Sequence, residues 1–307
     1  MSRPVAVALA SPSRLPQARP RLESTHSSAN DSLPYRGYAM TRRARVTEAY
    51  VAELTHKLAP RELALVADLD RLRLASVKQL ERLHFTAESP KANATQARRA
   101  LASLTELRVV VRLGRRVGGV RAGSQAFVYA LDVAGQRLAS ACGIRIRRPW
   151  TPGLAFIAHG LAVSELYLQL VEASRSGTLD VLDFDTEPAC WRTFTGLGGA
   201  RTVLKPDAFV RLGLSDFEDA YFVEVDRATH SGPSVARKLT SYRRYWQTAR
   251  EQNRWGGVFP KVLVLVPSEA RKAALIEVVG EQPVESWPLF QVARYDDALG
   301  IFSGGTS

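Results

Sequence analysis

From Pro60 onward, apolar residues recur at helical intervals. In PRELALVADLDRLRL, Leu63, Val66, Leu69 and Leu72 repeat every three residues, and Pro60 suits the first turn of a helix. A second helix opens at Ser76 as N-cap and buries Val77, Leu80 and Leu83. A third covers roughly Ala94 to Leu107, with Ala97, Leu101, Leu104 and Leu107 as its seam. The pattern then changes to two short apolar runs, VVVRL and QAFVYAL, around the Gly- and Arg-rich GRRVGGVRAGS. That spacing predicts a hairpin with a long tip. Three helices followed by such a hairpin form a winged helix-turn-helix, whose last helix enters the major groove while the wing follows the backbone.

Past Pro149 and Pro152, which make a continuous helix improbable, the pattern alternates. HGLAVSELYLQLVEASRSG reads as a helix; VLDFDTE, TVLKPDAFVRL and AYFVEVDR read as strands. A long helix runs from Ser234 to about Gln252, KVLVLVP is a buried strand, Ser268 opens another helix, and LFQVARY is a last strand. The order α, β, β, β, α, β, α, β predicts a mixed sheet covered by helices. The fold class expected is α+β. A winged-helix DNA-binding domain spans residues 44–144, a linker 145–153, an α/β domain 154–300 and a short tail 301–307. Residues 1–43 lack any hydrophobic period and are rich in Arg, Pro, Ser and Ala, so they are expected to be a disordered basic tail. Met40 opens a stretch that would itself serve as a start.

Charge sharpens this division. The chain carries a formal net charge of +12, yet residues 151–307 hold 16 basic and 19 acidic side chains. Residues 41–150 hold 21 basic and 9 acidic, so the excess sits in the helical half. Such a module suits a polyanion, because Lys and Arg displace counterions from phosphates. Thr95, Gln96, Arg98 and Arg99 fall off the seam of the third helix, where they would face duplex DNA; Arg112, Arg115, Arg116 and Arg121 surround the wing. Cys142 and Cys190 have no metal-ligand spacing, which argues against a zinc or disulfide framework and fits a cytoplasmic location. No apolar run of about 18 residues stands out, so no membrane span is expected.

Candidate chemistry lies in KPDAFVRLGLSDFEDAYFVEVDR. Side chains alternate along a strand, so Glu224 and Asp226 share one face with Phe222, opposite Tyr221, Val223 and Val225. Asp207 lies on the preceding strand, within reach of Glu224. Crowded carboxylates repel unless a cation or proton intervenes, and Mg²⁺ or Mn²⁺ suits such oxygens. The alternative is that these are ordinary polar positions at a sheet edge. Glu165, one turn from Leu161 and Leu168, is expected to face the sheet. Lys238 borders the seam Val235, Leu239, Tyr242 and Trp246, where its ammonium would offset the acidic cluster. Other chemistries fare worse. No two histidines flank a hydrophobic residue, as a relaxase of the HUH type requires. Tyr242 and Tyr245 read as core rather than nucleophiles, His159 as packing or capping its helix, and His230 as a loop residue. GLGG at 196–199 opens no helix and so cradles no phosphate.

At these residues the chain resembles the PD-(D/E)XK nuclease-like fold, with Pro206-Asp207 as PD and Glu224-Val225-Asp226 in place of (D/E)XK. More narrowly, KPDAFV…FVEVDR…RKLTSYRRY is similar to the replication-relaxation family of bacterial, often plasmid-borne, proteins, over about residues 45–300. The resemblance implies a restriction-endonuclease-like second domain and binding to double-stranded DNA in plasmid replication, relaxation or mobilisation. The partners it implies are DNA and replication or mobilisation proteins; in a non-enzymatic role, a second copy of the chain would suit a palindromic site, and the helix Ser234–Gln252 is expected to offer exposed aromatics for that contact. If the site is active, the catalytic set read from the residues is Glu165, Asp207, Glu224, Asp226 and Lys238: Asp207 and Glu224 hold Mg or Mn, Glu165 and Asp226 support it, and Lys238 polarises the phosphate or water. Asp226 departs from the pattern, since it stands where the motif has lysine. Two readings stay open: a metal-dependent nickase, or a non-catalytic replication accessory or regulator on a degenerate nuclease fold. An RNA or toxin-like nuclease is a weaker third. The distance from Lys238 to Glu224 discriminates the first two.

Overall fold

Helical periodicity and β-branched runs are realised as separate layers. The computed structural model describes residues 45–86, 89–113, 127–140, 152–215 and 217–304. The expected tail 1–43, the wing residues Arg115, Arg116 and Arg121, and most of the linker 145–153 lie outside them.

The first layer holds α1 (Glu48–Lys57), α2 (Pro60–Leu72), β1 (Ala75–Ser76), α3 (Val77–His84) and α4 (Pro90–Glu106), then β2 (Val110–Leu113), β3 (Val128–Leu131) and α5 (Val133–Ser140). Ser76 caps α3 in a reciprocal box with Gln79, and Ser89 caps α4 ahead of Pro90. The strands form a small antiparallel sheet in the order β1-β3-β2. α1, β1 and α5 are additions to the pattern read from sequence. Val51, Leu54 and Leu58 give α1 its inward face, with Leu54 fully buried.

The second layer holds α6 (Leu154–Arg175), β4 (Asp180–Thr186), β5 (Arg192–Thr195), β6 (Arg201–Leu204), β7 (Ala208–Leu214) and β8 (Phe217–Val225). Then follow α7 (Gly232–Trp246), α8 (Arg250–Arg254), β9 (Lys261–Val266), α9 (Glu269–Gly280), β10 (Phe290–Arg294) and α10 (Ala298–Phe302). Five strands form a mixed sheet in the order β10-β9-β8-β7-β4. β10, β9 and β8 run parallel, and β8, β7 and β4 antiparallel. Its two faces divide as alternation requires. Tyr221, Val223 and Val225 join the core under α6, while Phe222 packs with Tyr242 and Tyr245 of α7.

Three expectations are corrected. TVLKPDAFVRL is two strands in two sheets, not one: β6 pairs with β5, the chain leaves that pairing at 205–206, where Pro206 has no amide to donate, and Asp207 falls at the entry to β7. The helix from Ser234 divides at 247–249, where Ala249 takes a left-handed conformation, φ 55°. Its tyrosines are buried, so they offer no exposed aromatic contact. Finally, α6 has an 18-residue window of mean hydropathy 1.5, long and apolar enough by composition to cross a membrane. The physical reason for that apolarity lies in its packing. One face lies on the sheet and another meets α2 and α3, with Leu168 and Leu170 fully buried.

The two layers share that core, because Leu72 and Leu83 pack with Val163, Leu166 and the sheet. Polar contacts reinforce the seam. Ser164 donates to the Leu74 carbonyl at 2.7 Å, and the buried Gln79 amide donates to the Leu161 carbonyl at 2.9 Å.

Candidate active site

Three elements converge at one end of β8. Asp207 enters from the 205–207 turn, Glu224 from the last residues of β8 and Lys238 from the second turn of α7. The register that pairs Ala208 with Val223 sets Asp207 beside Glu224 and Val225. The Asp207 amide donates to the Val223 carbonyl at 3.1 Å, and its Oδ2 accepts the Val225 amide at 2.7 Å. The carboxylate is thereby pinned at both ends of its own residue.

Lys238 Nζ is in direct contact with Glu224 Oε2 and lies 3.9 Å from Asp207 Oδ1, so one ammonium bridges the two carboxylates. Tyr242, one turn further along α7, donates its hydroxyl to Glu224 Oε1 at 2.5 Å. From the first turns of α6, His159 Nε2 lies 3.3 Å from Asp207 Oδ1. A cavity of about 750 Å³ opens on this group, and His159, Asp207, Glu224, Lys238 and Tyr242 all line it.

The charges are strongly coupled to this setting. Burial pushes the Glu224 carboxyl up to about 7, with Asp207 adding to the effect and Lys238 and Tyr242 opposing it. Burial would raise Asp207 too. There the hydrogen bond from His159, the charge on Lys238 and the Val225 amide win, and the group is held below the ordinary carboxylate range. Burial would lower Lys238, but Glu224 and Asp207 outweigh it and keep the ammonium charged. His159 is raised by its bond to Asp207, against the effect of burial. Tyr242 is raised well above its ordinary value by burial and by the neighbouring Glu224, so it stays a proton donor.

Two residues grouped with this set on sequence grounds are engaged elsewhere. Glu165 faces α3 rather than the sheet, bonding Arg82 at 2.7 Å and Gln79 at 2.9 Å. Asp226 lies just past the end of β8 and is bound by Arg271 of α9 at 2.6 and 3.3 Å. It lines the cavity, but its charge is already matched. His159 and Tyr242 join the site in addition to the residues expected. The i, i+4 spacing of Lys238 and Tyr242 was a readable sign that they share a helix face. His159 gave no comparable sign, because it meets Asp207 only through the packing of α6.

The Mg²⁺ or Mn²⁺ expected from sequence can be tested against these donors. Among the described residues, no group of three or more His, Cys, Asp or Glu is placed to hold a metal. Two hard carboxylates do meet here, 11% and 9% exposed, and a cationic group already bridges them. Mg²⁺ is commonly bound by one or two carboxylates, with water and substrate phosphate completing its octahedron. The donor chemistry of Asp207 and Glu224 therefore fits such an ion, provided the ammonium yields one of its contacts.

The DNA-facing candidates lie in the first layer. Arg98 and Arg99 of α4 are exposed, with no ion pair among the described residues. Thr95 bonds back to the Lys91 carbonyl at 2.9 Å, and Gln96 accepts from Arg61 at 3.2 Å. Arg112 is exposed on β2, its guanidinium 4.4 Å from the Phe127 ring centre.

The sequence profile of the family described as Replication-relaxation matches residues 66–262. That span includes α4, Asp207, Glu224 and Lys238. No curated protein is significantly similar to the chain. Among solved structures, the restriction endonuclease FokI bound to DNA aligns with 86% of this chain at 12% identity and a TM-score of 0.25. The chain spans 47% of that protein's length.

Proposed function

Because the chain belongs to the replication-relaxation family, we propose that it binds DNA in plasmid or mobile-element replication and relaxation, and that it nicks DNA with a divalent metal. In this reading α2, α3, α4 and the β2–β3 hairpin are a winged helix that delivers the chain to duplex DNA. The five-stranded sheet with α6 and α7 is a PD-(D/E)XK-type domain whose lysine has moved from the strand to the adjacent helix.

The observation that carries this reading is the Lys238 ammonium, which bridges Glu224 and Asp207 although Asp226 occupies the motif's lysine position. Asp207 and Glu224 would hold the metal. When bound, it would polarise a phosphoryl oxygen and make water a stronger nucleophile. Lys238 sets a fixed positive charge where a phosphate's developing negative charge would gather. Tyr242 and the Val225 amide hold the two carboxylates in place. His159 orients Asp207 from the opposite side.

Conversion of supercoiled plasmid to open circles tests this, with Mg²⁺ or Mn²⁺ and with EDTA. The native chain should nick only with metal, and Asp207→Ala and Glu224→Ala should lose nicking while still binding DNA. Intact DNA binding with no cutting under any metal would support the non-catalytic accessory instead.

A further inference from the structure

The helix that sends Lys238 into the cavity turns a different set of cations outward. From Gly232 to Lys261 the chain carries seven Lys and Arg against one carboxylate, Glu251. Glu251 is 2% exposed and is taken up by Arg192, Tyr245 and Trp255. This run sits inside a half of the chain with more acidic than basic residues.

Its exposed members are left without counterions. Arg237 and Arg244 are exposed on α7, and neither forms an ion pair among the described residues. Seven residues apart, they occupy one face of the helix about 10 Å from each other. Several arginines elsewhere are matched. Arg71 pairs with Asp68, Arg82 with Glu165 and Glu172, Arg211 with Asp183 and Glu218, and Arg271 with Asp226. Arg237 directly precedes Lys238, so the crest of α7 and the cavity wall are neighbouring strips of one helix. The exposed Lys205 stands two residues before Asp207, which lines the cavity, and its ammonium lies 4.6 Å from the Trp191 ring centre.

We propose that the outer face of α7, through Arg237 and Arg244 and continued by Lys205, is a second DNA-backbone contact that lays the duplex across the carboxylate cavity. It is separate from α4 and β2, and it rests on the reading of this chain as a DNA-binding protein. Unpaired, exposed cations in register beside an acidic site suit a phosphate backbone. They would keep a polyanion near carboxylates that otherwise repel it.

The test is binding of a short fluorescein-labelled duplex of arbitrary sequence to the full chain, by anisotropy over a range of salt, in EDTA so that cutting plays no part. Arg237→Ala/Arg244→Ala should weaken binding roughly tenfold and reduce the salt slope by up to about two. The double Lys variant should keep the native slope. Combination with Arg98→Ala/Arg99→Ala should multiply the losses, as for separate contacts. Both arginines are exposed, so melting temperature should hold and report intact folding. Native binding with an unchanged slope in the double Ala variant would overturn the second contact alone. A native chain that binds no duplex would overturn it together with the proposed function.

Discussion

At the scale of single residues, Glu224 is held between opposing demands. Its backbone belongs to a central strand, which buries the side chain, and burial favours the neutral acid. Lys238 and Tyr242 supply the contacts that favour the anion. The ammonium and a divalent cation would compete for the same oxygens. Lys238→Met should therefore bind Mn²⁺ more tightly than the native chain without DNA, on the order of tenfold for about 1.4 kcal/mol of relieved competition. Loss of the ammonium also raises Glu224 above its already elevated value. The titration, by electron paramagnetic resonance of free Mn²⁺, is accordingly done at alkaline pH. Weaker Mn²⁺ binding by the variant would mean that Lys238 organises the carboxylates rather than occupying the cation's place.

At the scale of elements, α6 ties α2 and α3 to the site. Its first turns present His159 to Asp207, while Leu161, Ser164 and Glu165 meet the 74–82 segment. Not all of these ties count equally. Gln79 is 6% exposed and its amide serves both Leu161 and Glu165, so Gln79→Ala removes a buried donor from the Leu161 carbonyl. It should cost about 1–3 kcal/mol in urea unfolding. Arg82 makes shorter contacts but is 44% exposed. Arg82→Ala should cost under about 1 kcal/mol, because solvent screens exposed pairs. An equal loss in both variants would contradict this ordering. The sequence made much of this level legible. Strong periods marked α2, α3, α6, β8 and β9, and the caps Ser76 and Ser268 appear where expected. Strand alternation puts Glu224 and Phe222 on one face, opposite Tyr221, Val223 and Val225, and the sheet divides that way. What escaped was set by contacts far apart in the chain. A single buried stripe through Leu161 and Leu168 would aim Glu165 at the sheet, but α6 is covered on two sides and Glu165 meets α3. Asp226 has the right parity to stand with Glu224, yet an arginine 45 residues later claims it.

At the scale of the whole molecule, the residues from Val46 onward form one compact unit. The contact between layers reaches the site itself, since Arg73, at the C-cap of α2, pairs at 3.5 Å with Glu187 on the cavity wall. A duplex held by α4 and by α7 would bear on parts joined through one core, and positioning of that kind accounts for large rate effects in phosphoryl transfer. The proposed nicking depends on Lys238 acting with Asp207 and Glu224 as one site. The most direct measurement is the single-turnover nicking rate of Lys238→Met against the native chain, at saturating protein and Mn²⁺ so that binding is removed from the comparison. With one shared site the rate should fall roughly 100-fold or more. A variant that nicks as fast as the native chain would contradict it.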